Sequence, residues 1–467
     1  MIAGKIKLSD VGECRSRLDG SYHLSEAQIV KKRISSSPYP LLNLGNVTER
    51  IWHASRWKRV YVDNHKTGIT LLGSSAMLKG DLSHEKLVSK KYTDDIPDKI
   101  LQEGWILISC SGTIGNCAFT NAQHAGKLAS QHVIRLKPNN ILGAGLIYAY
   151  LASKYGYVML TQGTSGSVIQ HIEPENVEVI PIPNFPDSFK SEINQLIQDS
   201  SKLRDEAMYE LEVADKLLKE KAGLRTLTPE DYDYFGQHSA TRKPSCFTRR
   251  SNEISSRSIN AFNYSQRLER LRESLPDSRP LRNILLNNTT FSTSSFPRIE
   301  VKKGKGVMLI NQSDAFDTII NGKWISTRNV NLTNLVSYGE VIVAGVGTLG
   351  ENETFCRVLF ANEDLKGQLI SGEFIRMKTT SDIPSGFLYA WLNSDYGFRL
   401  IRGTQAGTKL CRPIPEVFLG IPVPILAEED MKEIDRMVRD AHTKRHLANV
   451  KELKAIAMVE AEIEKWN

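Results

Sequence analysis

Two polar loops occupy corresponding places in the two halves of the 467-residue sequence. One runs from Gly163 to His171 and the other from Gly403 to Arg412, and their sequences differ. Both mix small flexible residues with hydroxyl, amide and basic side chains, which suit hydrogen bonding to phosphates and base edges. An ordinary surface loop has a similar composition, so both interpretations stand. The predicted contact residues are Thr164, Ser165, Ser167, Gln170 and His171 in the first loop, and Thr404, Gln405, Thr408, Lys409 and Arg412 in the second.

Two basic runs precede these loops along the chain. The first contains Arg56, Lys58 and Arg59, and the second contains Lys302, Lys303 and Lys305. Phosphate contact is the functional interpretation of each run, and a solvated surface is the alternative. The formal charge of +7, from 60 Lys and Arg against 53 Asp and Glu, permits attraction to a polyanion without demonstrating it.

Complete catalytic signatures are absent from the sequence. It contains no GxxxxGK[ST] phosphate loop, no HExxH metal pair and no Asn/Asp-Pro-Pro-aromatic tetrapeptide. The stretches from Gly112 to Gly115 and from Gly347 to Gly350 lack GxGxxG spacing, so we interpret them as structural turns. The six cysteines show no zinc-type spacing and are predicted to be reduced. A nuclease centre of loosely spaced acidic residues and one Lys stays open as an alternative.

An internal duplication places these loops in a common framework. The stretch from Gly104 to Gly115 recurs 235 positions later, and the stretch from Leu146 to Gly156 recurs 241 positions later. Weaker echoes include Pro40 to Leu44, which matches Pro280 to Ile284 at a shift of 240. A period of this length predicts that each copy is a complete domain with an appended element.

The appended elements are predicted to be long helices. Residues 189–221 and 428–467 contain neither Pro nor Gly, and their small and apolar residues recur in steps of three and four. The first seam contains Ile193, Leu196, Ser200, Leu203, Ala207, Ala214 and Leu217; the second contains Ile434, Val438, Ala441, Ala448, Ala455 and Val459. Each helix could cover its own domain, but two related helices with charged outer faces favour an antiparallel pair.

The sequence therefore predicts a mixed α/β fold with two similar domains around a pseudo-two-fold axis, separated by two long antiparallel coiled-coil helices. The predicted boundaries are 1–186 for the first domain, 187–223 for the first helix, 224–257 for a polar linker, 258–426 for the second domain and 427–467 for the second helix.

With these residues in view, the chain resembles the specificity subunits of type I restriction-modification systems, which alternate two target-recognition domains with two long helical regions. In that family an apolar strand leads to a Ser-Gly-Thr-x-Gly turn, as from Gly104 to Gly115. A later Gly/Thr-rich loop precedes an Ile-Pro-hydrophobic-Pro stop and a helix, as from Gly163 to Pro183 and from Gly403 to Pro424. The chain departs from the family pattern at Cys110, where Arg is common, and at both helix entries.

The resemblance implies a non-catalytic subunit that selects an asymmetric, two-part site on double-stranded DNA. Its implied partners are methyltransferase subunits, two in number, and restriction or translocase subunits. S-adenosylmethionine, ATP and Mg²⁺ are expected on those partners, and no cofactor is expected in this chain. A single-chain modification and restriction enzyme, or a stand-alone DNA-binding or scaffolding protein, are the rival classes.

The location of the protein is predicted from the absence of export signals. Residues Met1 to Asp10 lack the apolar core of a signal peptide, and no later stretch approaches the roughly 20 apolar residues that span a bilayer. We therefore expect a cytoplasmic protein without membrane contact.

Overall fold

The computed structural model describes residues 26–161, 171–228, 231, 246–254, 256–275 and 277–466. They form the expected mixed α/β fold. Its α-helices are α1 (Glu26–Ser35), α2 (Ile96–Lys99), α3 (Ala144–Ala152), α4 (Lys154–Thr161), α5 (Pro174–Glu178), α6 (Asp187–Lys221), α7 (Gln266–Glu273), α8 (Ser385–Asn393), α9 (Asp395–Arg402), α10 (Pro415–Phe418) and α11 (Glu428–Glu464).

The strands are short and fall into two similar sets. The first-half strands are β1 (Leu41–Asn43), β2 (Thr48–Trp52), β3 (Tyr61–Val62), β4 (Gly68–Leu72), β5 (Leu87–Ser89), β6 (Ile106–Ser109), β7 (Cys117–Phe119), β8 (Leu128–Ala129), β9 (Val133–Pro138) and β10 (Pro181–Pro183). The second-half strands are β11 (Ser278–Pro280), β12 (Val307–Ile310), β13 (Lys323–Ile325), β14 (Val341–Ala344), β15 (Val358–Phe360), β16 (Leu369–Ile370), β17 (Phe374–Met377), β18 (Gln405–Ala406), β19 (Arg412–Pro413) and β20 (Pro422–Pro424).

The two halves have similar sheet topologies, although each of the two larger sheets has four strands in the first half and three in the second. In the first half, sheets of order β2-β9-β6-β7 and β3-β5-β4-β8 accompany the pair β1-β10. In the second half, the sheets β15-β14-β17 and β13-β12-β16 accompany the pair β11-β20. Among the described residues, each half contains one parallel pairing, β4 with β8 and β12 with β16, at the corresponding place. The duplication seen in the sequence is therefore a duplication of the fold.

The structure corrects the offset of the repeat that involves Pro40 to Leu44. The backbone N–H of Leu44 donates to the carbonyl of Ile180 at 3.0 Å, and that of Leu281 donates to the carbonyl of Ile421 at 2.8 Å. Position 44 thus corresponds to position 281, a shift of 237 and not 240. The Pro-Leu-x-Asn pattern coincided at the wrong offset because a strand and a short 3₁₀ helix follow one another there in both halves.

A repeated glycine is required where two helices meet at close range. A Cβ added at Gly156 would lie 2.1 Å from the carbonyl oxygen of Tyr150, and one added at Gly397 would lie 2.2 Å from that of Trp391. These distances are far below van der Waals contact, so no side chain fits at either position. The recurrence of this glycine therefore reflects the sharp junction between α3 and α4, and between α8 and α9.

A second repeated contact fastens the same helices to the paired strands. The hydroxyl of Tyr150 donates to the carbonyl of Pro181 at 2.7 Å, and the indole N–H of Trp391 donates to the carbonyl of Pro422 at 3.1 Å. A tyrosine in one half and a tryptophan in the other thus make equivalent hydrogen bonds. The bond sets the position from which the long helix of each half begins.

The two long helices pack against each other in opposite directions. Lys454 pairs with Glu192, Lys451 with Asp199, and Lys221 with Asp430, so partner numbers fall along one helix as they rise along the other. In the contact face, residues recur at seven-residue intervals and are buried: Ile193, Ser200, Ala207 and Ala214 on α6, and Ile434, Ala441, Ala448 and Ala455 on α11. Among the described residues, no helix has the length and apolar character needed to cross a membrane.

The leucines of the predicted seam of α6 are less buried than residues next to them. Leu196 and Leu217 are only partly buried, whereas their neighbours Ile197 and Leu218 are buried. The difference arises because α6 also packs against the two halves: Ile193 and Ile197 belong to the core of the first half, and Leu218 to that of the second.

Each core contains residues from both long helices. The first-half core includes Ile193 of α6 together with Ala455, Val459 and Ile463 of α11, and the indole of Trp466 beyond it. The second-half core includes Ala214 and Leu218 of α6 together with Met431, Ile434 and Val438 of α11. The helices are therefore shared structural elements of both halves.

The two halves also touch each other directly, away from the helices. The backbone N–H of Gly80 donates to the carbonyl of Phe316 at 3.0 Å, and that of Thr318 donates to the carbonyl of Leu78 at 2.8 Å. Lys79 adds an ion pair with Asp317 at 3.1 Å. Together with the helix pair, the halves line a cavity of about 810 Å³. The halves are therefore in direct contact with each other, in addition to being joined by the helices.

A buried arginine marks the same position in both halves, but its charge is compensated differently. Arg135 donates to the main-chain carbonyls of Val133 and Ala129. Arg376, 241 positions later, donates to both carboxylate oxygens of Glu340 at 2.8 and 3.0 Å, and both side chains of this pair are almost fully buried. The second half therefore depends on a buried, bidentate ion pair that the first half lacks at this position.

Replacing Glu340 with Ala is expected to destabilise the protein, because the Arg376 guanidinium would stay buried without its counter-charge. Removing one partner of a buried pair costs about 3–5 kcal/mol. The measurement is the thermal unfolding midpoint, which should fall clearly. Glu300→Ala, which breaks the exposed pair between Glu300 and Lys323, is the control and should change it little. An equal small effect of both changes would contradict the prediction.

Candidate nucleic-acid interface

In both halves, the chain that returns from the divergent loop is bonded to the Gly-Thr-x-Gly turn. In the first half Ser111 forms a β-bridge with His171, and the N–H of Ile172 donates to the carbonyl of Cys110 at 3.1 Å. In the second half Gly347 and Cys411 exchange backbone hydrogen bonds of 3.2 and 2.7 Å. The glycine-rich turns are therefore supports for the loops, in agreement with their interpretation as structural turns.

The second-half loop is a β-hairpin with an exposed polar tip. Strands β18 and β19 pair antiparallel, and Gly407 turns the chain with a φ of +107°, which side-chain-bearing residues rarely adopt. Thr408, Lys409 and Arg412 are exposed on this hairpin, as is the side chain of Leu410. A two-stranded ribbon of this kind fits the major groove of B-form DNA.

Two predicted contact residues of this loop lie inside the protein. Thr404 is buried, and its hydroxyl donates to the carbonyl of Ile401 at 2.7 Å. This hydrogen bond lies at the end of α9. Gln405 is also buried, and its carbonyl accepts hydrogen bonds from Asn263 at 3.0 Å and from Asn260. Both residues position the hairpin, and neither presents its side chain at the surface.

A cavity of about 250 Å³ opens beside the base of the hairpin. Its walls include Thr290, Phe291, Gly345, Glu373 and Arg412. Arg412 thus lies at the junction of an exposed ribbon and a small polar recess. A guanidinium there could reach a phosphate or a base edge that approaches the hairpin.

The first-half basic run lies next to a group of polar side chains. Arg56 and Lys58 are exposed, and Arg59 donates a hydrogen bond to the side-chain oxygen of Gln131. The pKa of His132 is lowered, first by burial and then by the positive charge of Arg59. Gln131 also contacts the ring of His132, whose carbonyl accepts from the N–H of Cys110, next to the bridge between Ser111 and His171. The structure therefore brings the run that contains Arg56 and Arg59 close to His171, which was predicted from a separate segment.

His171 itself faces a carboxylate. Its Nε2 atom lies 3.4 Å from an oxygen of Glu173, and the same carboxylate lies 3.2 Å from Nε2 of His53. Both histidines are partly buried. Glu173 and His53 were not predicted, although the spacing His171-x-Glu173 in an extended segment was a usable signal.

The remaining predicted contact residues are the lysines of the second basic run and four residues of the first loop. Lys302, Lys303 and Lys305 are exposed in the turn before β12, where Gly304 has a φ of +79° and the N–H of Lys305 donates to the carbonyl of Lys302 at 3.0 Å. Thr164, Ser165, Ser167 and Gln170 lie outside the described residues. For all the exposed residues, DNA contact stays a prediction.

A further basic and aromatic group was missed by the sequence analysis. Lys90, Lys91 and Tyr92 are exposed after β5, and the ammonium of Lys91 lies 5.4 Å from the centre of the Tyr92 ring. The run Lys-Lys-Tyr is visible in the sequence, but it lies in a segment where the two halves show no clear sequence similarity. Such a group suits phosphate contact with adjacent stacking.

Removing the two cations of the hairpin should weaken binding to duplex DNA. For Lys409→Ala with Arg412→Ala, the slope of log affinity against log salt should fall by about 0.9 for each lost phosphate contact. Fluorescence anisotropy with a labelled duplex at several salt concentrations measures this slope. Lys323→Ala, which removes an exposed lysine outside these loops, is the matched control, and an unchanged slope in the hairpin variant would refute the assignment.

Comparison with known families gives one match. Residues 63–199 match the family described as "Type I restriction modification DNA specificity domain". This range contains the Gly-Thr-x-Gly turn of the first half, the first divergent loop and the beginning of α6. No significant match is found among curated proteins.

Two solved structures are similar over most of the chain. The type I restriction-modification S subunit from M. genitalium is 12% identical, and the alignment covers 92% of this chain and 96% of that one with a TM-score of 0.34. The HsdS subunit from Thermoanaerobacter tengcongensis is 13% identical, with 91% and 96% covered and a TM-score of 0.26. At these TM-scores, the functional conclusion depends on the family match and on the geometry of this chain.

Proposed function

We infer that this chain is a DNA sequence-specificity subunit of a type I restriction-modification system, because residues 63–199 belong to the DNA specificity domain of such systems. It is the non-catalytic component, which chooses the site at which other subunits act. The observation that carries this conclusion is the family match, which spans the turn and the divergent loop that the structure bonds together.

Two target-recognition domains, at 1–186 and 258–426, would each read one half of the DNA site. The repeated sheet topology, the repeated helix junction and the repeated support of the loop by the turn favour two readers of common design. Their loops differ in sequence and in side-chain chemistry. Unlike readers recognise unlike half-sites, so the target should be asymmetric and bipartite.

The helix pair would set the distance between the half-sites as an antiparallel coiled coil. Its helices contain 35 and 37 residues, which at about 1.5 Å per residue is on the order of 50 Å. Heptad spacing of the buried small residues and the ion pairs across the interface favour a rigid spacer. The direct contact between Gly80 and Phe316 would further restrict the relative motion of the domains.

The outer faces of the same helices would dock the methyltransferase subunits, two in number. Leu447 and Val450 on α11 lie three positions apart and are about half exposed, and Tyr209 on α6 is about two-thirds exposed. Exposed apolar residues in a row on an otherwise charged helix are typical of a partner surface. Restriction or translocase subunits would complete the assembly. S-adenosylmethionine, ATP and Mg²⁺ would bind to these partners, in the cytoplasm.

A stand-alone DNA-binding protein is the alternative function, and a methylation assay separates the two. The chain, alone and mixed with a cognate methyltransferase subunit, is incubated with genomic DNA, and modified adenines are mapped. Modification by the mixture only, at a two-part motif with a fixed gap, is expected. Methylation by this chain alone would overturn the non-catalytic role, and DNA binding without methylation by the mixture would favour the stand-alone protein.

The role of the spacer predicts a change in target geometry. Inserting one heptad into each long helix, at facing positions, preserves the buried face and lengthens the pair by about 10 Å, roughly three base pairs. It also separates Gly80 from Phe316, so the direct contact between the halves is lost. The mapped motif should keep both half-sites and gain about three base pairs in its gap. Inserting the heptad into α6 alone is the control, since it shifts the helices out of register and should abolish methylation; an unchanged gap with both insertions would refute the spacer role.

A further inference from the structure

The first half contains a convergence of two imidazoles and one carboxylate that its second-half counterpart does not repeat. One potential ligand atom from each of His53, His171 and Glu173 lies within 4.8 Å of the other two. All three side chains are partly exposed, so an ion could enter from solvent. This geometry is that of a candidate metal site, a feature separate from DNA recognition.

The backbone brings these residues together in a simple way. His171 and Glu173 are two positions apart in an extended segment, so their side chains point to the same side while Ile172 between them is buried in the core. The bridge to Ser111 fixes this segment on the Gly-Thr-x-Gly turn. His53 follows directly after β2, whose hydrogen bonds to β9 fix its position.

The two ring nitrogens of His53 have different neighbours. The Nδ1 atom forms a hydrogen bond with the carbonyl oxygen of Ala54 at 3.1 Å, which orients the ring. The Nε2 atom faces a carboxylate oxygen of Glu173 at 3.2 Å. The other oxygen of the same carboxylate lies 3.4 Å from Nε2 of His171, so both imidazoles converge on one carboxylate.

A hydrogen bond such as that between Nδ1 of His53 and the carbonyl of Ala54 commonly orients a metal-binding histidine. Ligating imidazoles commonly donate their second N–H to a carbonyl or carboxylate, which fixes the tautomer and the direction of the free nitrogen. Two imidazole nitrogens with one carboxylate oxygen suit a borderline transition-metal ion such as Zn²⁺ better than Mg²⁺ or Ca²⁺, which prefer oxygen ligands.

We propose that His53, His171 and Glu173 form a binding site for a divalent transition-metal ion, with Zn²⁺ as the representative ion. The bound ion fastens the segment that follows the first divergent loop to the end of β2, three residues before Arg56. It acts as a structural link within the first half, and no catalytic role is assigned to it.

The second half provides an internal comparison. Trp52 pairs with Arg135 as Phe291 pairs with Arg376, so Ser292 stands at the place of His53. By the shift of 241, Arg412 stands at the place of His171 and Ile414 at that of Glu173. Ser292 and Arg412 line the 250 Å³ cavity beside the hairpin. The common fold therefore does not require these ligands, and their presence is particular to the first half.

Zinc binding by the full, untagged chain tests the proposal. After removal of metals, the protein competes with a chromophoric chelator for Zn²⁺, and the bound metal is counted by elemental analysis. One Zn²⁺ per chain is expected. His53→Ala, His171→Arg and Glu173→Gln should each weaken the apparent affinity by at least about tenfold. His65→Ala, at an exposed histidine outside the cluster, should leave it unchanged.

The choice of variants keeps the result interpretable. Glu173→Gln preserves the shape of the side chain, and His171→Arg introduces the residue that the second half has at that place, with a positive charge available to DNA. Thermal unfolding in excess chelator checks that the variants fold. Absence of bound Zn²⁺ in the parent chain, or equal binding by the parent and all three variants, would overturn the proposal. Neither result depends on DNA specificity, which the methylation assay tests separately.

Discussion

The arrangement of the two halves depends on a buried chain of polar contacts at the middle of the helix pair. Glu452 of α11 is nearly inaccessible to solvent, pairs with Arg204 of α6, and accepts a hydrogen bond of 2.6 Å from the hydroxyl of Tyr148 in the first half. Arg204 also donates to Asn449 at 2.9 Å, which in turn donates to Asp364 in the second half at 2.8 Å. One connected network therefore joins both helices and both halves.

This network fixes the register of the helices more than it adds to stability. Charged groups taken out of water lose hydration that their attraction only partly returns, but any slip of one helix along the other would leave them buried and unpaired. Small residues beside them, such as Ser200 and Ala448, let the helices approach closely without specifying a register. Burial, reinforced by the Glu452 carboxylate, raises the pKa of Tyr148 well above its usual value, so its hydroxyl stays a donor.

The sequence predicted the features that depend on local pattern and failed where tertiary contacts decide. Gly156 and its counterpart Gly397 recurred because no Cβ fits there, and the long helices were visible from their spacing. Thr404 and Gln405 resembled surface residues, yet the end of α9 and the side chain of Asn263 hold them inside. His53 could not be connected with His171, because 118 positions separate them and only the fold brings β2 beside the turn. The positions of the loop residues from 162 to 170 fall outside the described part of the chain.

The sharing of the long helices between the two cores has a consequence for the order of synthesis on the ribosome. The first half contributes its sheets and α6 early, but its core is closed by Ala455, Val459, Ile463 and Trp466, near the end of the chain. At about 5–20 residues per second, the 267 residues between positions 199 and 466 take on the order of 15–50 s to appear. During that time the apolar face that α11 later covers is open to water, to chaperones and to other nascent chains. The amino-terminal half must therefore wait for the last helix before it can fold completely.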